Sequence, residues 1–294
     1  MKIIGHTATY VILAVVGIAM TLPFLWMLAT SLMHASKVFA QSGFFEQLIP
    51  SPIVWSNYIS AWKALPFGRF VLNTVLIVAF VTAGQIITSS LAAYSFARLN
   101  FPLRDKLFFG YLATMMIPGA VTMIPVFILI SWLGRISDAE IYICNQYFGK
   151  VIGVDSYFAL IVPGMFSAYG TFMLRQFFMG LPVELEEAAK IDGASLFKIY
   201  YRICLPLSKA ALATLTTFVF LGVWKDFLWP LIITNSEQMR TVMVGLSTFQ
   251  GMHGTDWPLL MAGSVMMLIP IIVIFLFNQR YYVEGIKLSG LSGI

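Results

Sequence analysis

Glu187-Ala188-Ala189-Lys190-Ile191-Asp192-Gly193, followed ten residues later by Ile203-Cys204-Leu205-Pro206, is a polar island between two long apolar runs. As a spacing it reads E-A-A-x3-G-x9-I-x-L-P. The Glu-Glu-Ala-Ala-Lys segment favours helix, Gly193 ends it, and Pro206 ends the helix that restarts beyond. Two short helices joined by a tight turn are expected. Flanked by spans, such a segment has no lipid to bury against, so it must dock on something in the cytoplasm.

The surroundings agree. The 294 residues are 59% hydrophobic and only 11% charged, with a mean hydropathy of +0.86. Soluble domains carry roughly 25% charged residues, so this chain lacks the polar surface of a water-exposed globule. Six apolar runs, near 9–31, 70–95, 107–133, 157–174, 210–233 and 257–279, approach the ~20 residues a bilayer span needs. The first carries no charge from Ala8 to Thr30, longer than the ~7–15-residue apolar core of a secretory signal, and is read as a retained span. Prolines at 23, 118, 125, 163, 230 and 270 lie inside or at the ends of the runs. In lipid they are tolerated where neighbours satisfy the freed backbone groups, and they predict bent helices around a cavity. The fold class is therefore all-α: a polytopic integral membrane protein with six transmembrane helices.

With the N-terminus inside, eleven of the 18 Lys and Arg residues fall in inside segments and six outside, Lys225 lying within a span. The positive-inside rule then puts both termini and the 181–206 loop in the cytoplasm. The net charge of +5 does not point to nucleic acid, because the basic residues are scattered at the ends of apolar runs. Cys144 and Cys204 fall on opposite sides of the membrane, which excludes a disulfide between them. His6, His34 and His253 lie outside the spans, and no metal cluster, paired carboxylates or Ser/His/Asp set can be assembled. No G-x-x-x-x-G-K-[ST] occurs; Gly149-Lys150 is preceded by Tyr147-Phe148 and lies in an outside loop. The chain is a conduit without an engine of its own.

With every anchor filled, the E-A-A-x3-G-x9-I-x-L-P spacing resembles the EAA loop of permease subunits of binding-protein-dependent ABC importers. Phe227-Leu228-Trp229-Pro230-Leu231, the outside loop Gly251–Trp257, Met261-Ala262-Gly263-Ser264 through Leu268-Ile269-Pro270, and Gln279–Gly285 are similar to the carbohydrate branch. The chain resembles the smaller, six-helix, maltose-type permease of that branch, over about residues 8 to 289. The resemblance implies a type I importer permease fold: an N-terminal helix and outside loop (1–69), a core transmembrane domain (70–280) carrying the loop 181–206, and a cytoplasmic tail (281–294). It implies the inner membrane of a bacterium, with lipid around the chain and no nucleic acid. The implied partners are a second permease in a heterodimer, two cytoplasmic ATPase subunits and an extracytoplasmic solute-binding protein. ATP and Mg would be bound by the ATPases, with no cofactor in this chain, which is not itself an enzyme. A sugar or oligosaccharide would cross by alternating access.

In that picture Glu187, Ala188, Ala189, Asp192, Gly193, Ile203, Leu205 and Pro206 couple the permease to the ATPase. Small Ala side chains allow close approach, and Gly193 supplies a positive φ or a close-packed turn. Leu196, Ile199 and Ile203 form one apolar contact face, and Ser208 caps the fifth span. The alternative on the residues alone is an amphipathic connector lying on the membrane.

One departure matters: relatives read Trp-Asn-Asp-Phe where this chain has Trp224-Lys225-Asp226-Phe227. A charge inside a span costs about 2.5–3.5 kcal/mol on the insertion scale, so Lys225 should face protein or water. It could pair with a carboxylate, sit over Trp229 one turn on, or meet an acidic sugar in the pathway. Trp224, Phe227 and Leu231 follow i, i+3, i+7, and Trp224, Lys225 and Phe227 are the candidate pathway residues. Outside, Gln250, Gly251 and Gly254 would form an extended tip reaching the binding protein. The competing class is a gradient-driven secondary carrier, which usually shows repeated halves and buried acids. Here Asp226 is the lone acidic residue deep in a span and no duplicated halves are found.

Overall fold

The computed structural model describes residues 2–40, 48–136, 140–143, 146–251 and 254–291. Cys144 and His253 lie outside them. The helices are α1 (Lys2–Ser31), α2 (Ser56–Ala64), α3 (Phe67–Arg98), α4 (Arg104–Ala113), α5 (Gly119–Gly134), α6 (Tyr157–Ile161), α7 (Ala168–Met179), α8 (Val183–Ile191), α9 (Leu196–Ile199), α10 (Leu205–Leu207), α11 (Lys209–Trp224), α12 (Leu228–Ile233), α13 (Val242–Ser247) and α14 (Trp257–Leu291). Short hairpins occupy two loops, β1 (Glu140–Ile143) with β2 (Gln146–Lys150) and β3 (Gln250–Gly251) with β4 (Gly254–Thr255). The hairpins were not foreseen; the helical fold class stands.

Thr9–Ser31, Phe67–Arg98, Tyr157–Met179 and Trp257–Gln279 are each long and apolar enough to cross a membrane. Two further stretches pass only as bent pairs: α4 with α5, at 99°, and the loop helices α9–α10 with α11, at 79°. Pro118 explains the first break, since it adopts φ −58° and ψ 136° at the N-cap of α5 and offers no N–H to the helix before it. Pro23, Pro125 and Pro270 sit inside helices that continue through them.

The chain divides into two compact units, 1–69 with 244–270, and 70–243 with 271–294. The sequence boundaries at 69 and 280 place 244–270 in the core instead. In the first unit, Asn57 of α2 donates to the carbonyls of Ser31 and Met33, at 2.9 and 2.8 Å, capping the orphan carbonyls at the end of α1.

The second unit carries the site. Its core gathers Leu174, Phe178, Ile199, Leu215, Ile233 and Met239, all fully buried. Polar side chains inside the spans repair breaks in the backbone. Where 157–179 breaks at the extended residues Phe166 and Ser167, Gln85 donates to the Gly164 carbonyl at 2.8 Å and Thr88 to that of Met165 at 2.6 Å. Buried Asn73 donates to the carbonyls of Gln238 and Arg240 and accepts from the Tyr157 hydroxyl at 2.6 Å. Asp155, at φ +63°, accepts from the amides of Asn235 and Ser236 at 2.8 and 2.9 Å.

Candidate functional site: the coupling loop and a cavity

The loop 181–206 builds itself from local rules. α8 starts beyond Pro182, with Glu184 and Glu186 in its first turn and Lys190 in its last, as the helix dipole favours. It ends in a Schellman motif: Gly193 N–H donates to Lys190 at 3.0 Å and Ala194 N–H to Ala189 at 2.9 Å. Gly193 takes φ +74°, and a Cβ there would meet nothing within 4 Å. The glycine therefore answers to the backbone angle, not to close packing within this chain. Ser195, which the sequence reading passed over, caps α9 through its hydroxyl, which accepts from Lys198 N–H at 3.3 Å. A π turn at Tyr200–Cys204, with Leu205 N–H donating to Tyr200, carries the chain into Pro206. The helix thus ends just past Pro206, at Leu207, not before it.

Two expectations are corrected. Leu196, Ile199 and Ile203 do not form one outward face: Ile199 is fully buried in the chain's own core, Ile203 half-buried, Leu196 exposed. Among the described loop residues, Ile191 and Phe197 are the most exposed apolar side chains, at 87% and 67%. Ser208 occupies the N-cap of α11, but its hydroxyl donates back to the Cys204 carbonyl at 2.7 Å and caps nothing.

The coupling candidates separate into two layers. Glu187, Ala188, Asp192, Gly193 and Pro206 are exposed, while Ala189, Ile203 and Leu205 are partly buried beneath them. Under that face lies a group the spacing motif does not contain. Glu186 is 3% exposed and forms an ion pair at 2.7 Å with Arg98 Nε. Arg98 also donates from Nη2 to the Leu181 carbonyl at 2.7 Å, and the Cys204 thiol donates to Glu186 Oε1 at 3.6 Å. Burial, with the Glu186 carboxylate beside it, pushes this loop thiol up to about 12. Stranding one member of a buried pair costs roughly 3–5 kcal/mol. A clue was present in the sequence, an acidic residue one position before the E-A-A run, but only contact with Arg98 distinguishes it from exposed Glu187.

Within the same unit, a cavity of about 450 Å³ has Asp226, Trp229, Thr74, Thr122 and Thr241 in its wall. It arises because the fifth span breaks at Lys225–Phe227 between α11 and α12. Asp226 fills the break, accepting from Trp229 N–H at 3.4 Å. The Trp229 ring N–H is committed to the Ala159 carbonyl at 3.0 Å. The Thr241 hydroxyl is buried without a hydrogen-bond partner among the described residues.

The pathway candidates sit elsewhere. Trp224 is 2% exposed and stacks on Phe220, with centroids 5.4 Å apart. Phe227 is half-buried, and Lys225 is exposed and forms no ion pair with a described residue. Because the helix breaks there, Trp224, Phe227 and Leu231 share no helical face, and Lys225 is not one turn below Trp229. In the loop after α13, Gln250 pairs with Thr255 and Gly251 with Gly254, which stands at φ +130°. The expected tip falls on this short hairpin, whose residues 252 and 253 lie outside the described residues. No group of three metal-ligating side chains occurs among the described residues.

Comparison with known proteins fits this geometry. Residues 85–287 match the family described as binding-protein-dependent transport system inner membrane component. The permease protein of the sn-glycerol-3-phosphate transport system from Yersinia pestis bv. Antiqua is 37% identical over 247 residues, covering 81% of this chain and 82% of that protein. The arabinooligosaccharides transport system permease of Bacillus subtilis strain 168 is 31% identical over 272 residues, covering 92% and 90%. A chain of a crystallised bacterial ABC transporter involved in import of the acidic polysaccharide alginate superposes with a TM-score of 0.79 at 21% identity, covering 95% and 96%. At that identity the likeness speaks for the fold.

Proposed function

The chain belongs to the family of binding-protein-dependent transport system inner membrane components, and from that premise we propose that it carries a carbohydrate across the membrane as one half of a two-permease pathway. It is the permease subunit of an ABC importer and not a gradient-driven carrier. In the proposed assembly a second permease completes the pathway, two cytoplasmic ATPase subunits bind ATP and Mg, and an extracytoplasmic protein delivers the sugar. Both termini and the loop 181–206 lie in the cytoplasm of a bacterium whose inner membrane holds the complex.

The observation that carries this reading is the two-layered loop. Glu187, Ala188, Asp192 and Gly193 face outward on a turn shaped by a positive-φ glycine, while Glu186 anchors the underside. An exposed rigid ridge with small side chains suits a cleft in a partner, and exposed Ile191 and Phe197 supply apolar contact beside it. ATP-driven closure of the ATPase pair would move this ridge, opening the pathway outward, and hydrolysis would reset it.

For the substrate, two relatives are named for sn-glycerol 3-phosphate and for arabinooligosaccharides. The cavity offers hydroxyl and carboxylate groups beside an indole, and its one charge among the described lining is the Asp226 carboxylate. That supports a neutral, hydroxyl-rich sugar over an acidic one.

The test is co-purification. Gly193→Asp adds a charged side chain at the apex of the ridge, so ATPase subunits should be lost from the purified permease while its membrane abundance holds. Normal recovery of ATPase subunits with this variant would sink the docking assignment.

A further inference from the structure

Ser90, Tyr94 and Arg98 recur every fourth residue along the last turns of α3, so they line one face. Each reaches a different part of the loop. The Ser90 hydroxyl meets the Tyr200 hydroxyl at 2.7 Å. The Tyr94 hydroxyl donates to the Leu196 carbonyl at 3.3 Å, and its ring lies 5.3 Å from that of Tyr200. Arg98 holds Glu186 and the Leu181 carbonyl, and Glu186 in turn receives the Cys204 thiol. Both ends of the loop, Leu181 and Cys204, are therefore tied into the same polar seam. Glu184, Glu187 and Asp192 of this loop are exposed, and Glu186 is buried; it serves the interior and not a partner.

We propose that this seam, closed by the Arg98–Glu186 pair, joins the coupling loop and the end of α3 into one rigid lever. A displacement received on the outer ridge then moves the span instead of being absorbed at the loop's roots. The inference rests on the reading that the ridge docks on an ATPase. Arginine suits the task because its fork holds a carboxylate with one nitrogen and a carbonyl with another, which a lysine ammonium on a flexible stem does not reproduce. Arg98 and Glu186 are positioning residues; neither touches substrate.

The Cys204 thiol, fully buried against Glu186, reports the seam. In a Cys144→Ser background, N-ethylmaleimide labelling of Cys204 is followed in the complete importer, nucleotide-free and after trapping with ATP and vanadate. With the seam intact, labelling should be equally slow in both states. In Glu186→Gln and Arg98→Lys it should accelerate by about tenfold on trapping, as local opening of a buried group does. Acceleration in the unsubstituted complex overturns the proposal, and that comparison needs no variant to fold. So does slow labelling of the variants in both states, or equal acceleration in both, which would mean the pair merely packs the loop. Failure of the docking reading is separate: it would show as ATPase subunits retained by Gly193→Asp, whatever the thiol does.

Discussion

Gly193 earns its place through one backbone angle. At φ +74°, with open space where a Cβ would go, alanine would clash with nothing yet adopt a left-handed conformation at about 1–2 kcal/mol. Gly193→Ala should therefore lower the thermal stability of the loop modestly while keeping the ATPase subunits bound, unlike Gly193→Asp. Differential scanning of the purified complex, with a subunit count, separates the two variants. Lys225 makes the opposite case. Being exposed and without an ion pair to any described residue, it strands no described partner when replaced. Lys225→Met should change stability by no more than about 0.5 kcal/mol and leave the preference between sn-glycerol 3-phosphate and a neutral sugar unaltered. Selective loss of the anion in an uptake competition would restore the acidic-substrate idea.

Among the elements, α7 shows how tightly the spans of the second unit are fitted. A Cβ on Gly170 would lie 2.7 Å from Ser89 Oγ of α3 and 3.2 Å from Leu215 Cδ1 of α11. Gly170→Val should force these three helices apart at a cost of about 1–3 kcal/mol. Gly110→Ala in α4, where nothing lies within 4 Å, should be neutral or slightly stabilising. Unfolding midpoints of the two variants give the comparison, and equal midpoints would contradict the packing account. The interrupted helices follow a common rule. The extended break at Phe166–Ser167 frees carbonyls that Gln85 and Thr88 recover, and the break at Lys225–Phe227 is closed by Asp226. Polar residues that look misplaced in an apolar run are where the backbone needs them.

Across the whole molecule, the asymmetry of basic residues sets an expected topology. A membrane-impermeant maleimide should label Arg135→Cys in intact spheroplasts and Lys106→Cys only after permeabilisation, in a Cys144→Ser background. Both positions are exposed, so burial does not confuse the result, and the reverse pattern would invert the orientation. Much of the architecture was legible beforehand. Four of the six expected spans coincide with long apolar helices and the third with a bent pair, while the fifth shares only α11 with a bent pair that begins inside the loop; hydrocarbon thickness sets their length and composition directly. The turn at Gly193 was legible too, since a helix stop and a positive φ are local requirements of one residue.

What the sequence determined by itself was the helical, many-span class and the turn at Gly193 within the loop 181–206, both of which depend on local composition and short-range spacing. What only the tertiary structure decided was which side chains meet. Glu186 and Glu187 are neighbours of the same type, yet one is buried against Arg98, 88 positions away, and the other faces outward. Trp224 is buried while Asp226 reached a cavity wall, because the helix breaks between them and the i, i+3, i+7 stripe ceases to exist. Burial and long-range pairing are settled by how the spans pack, and periodicity along one segment carries no information about the partner across the gap.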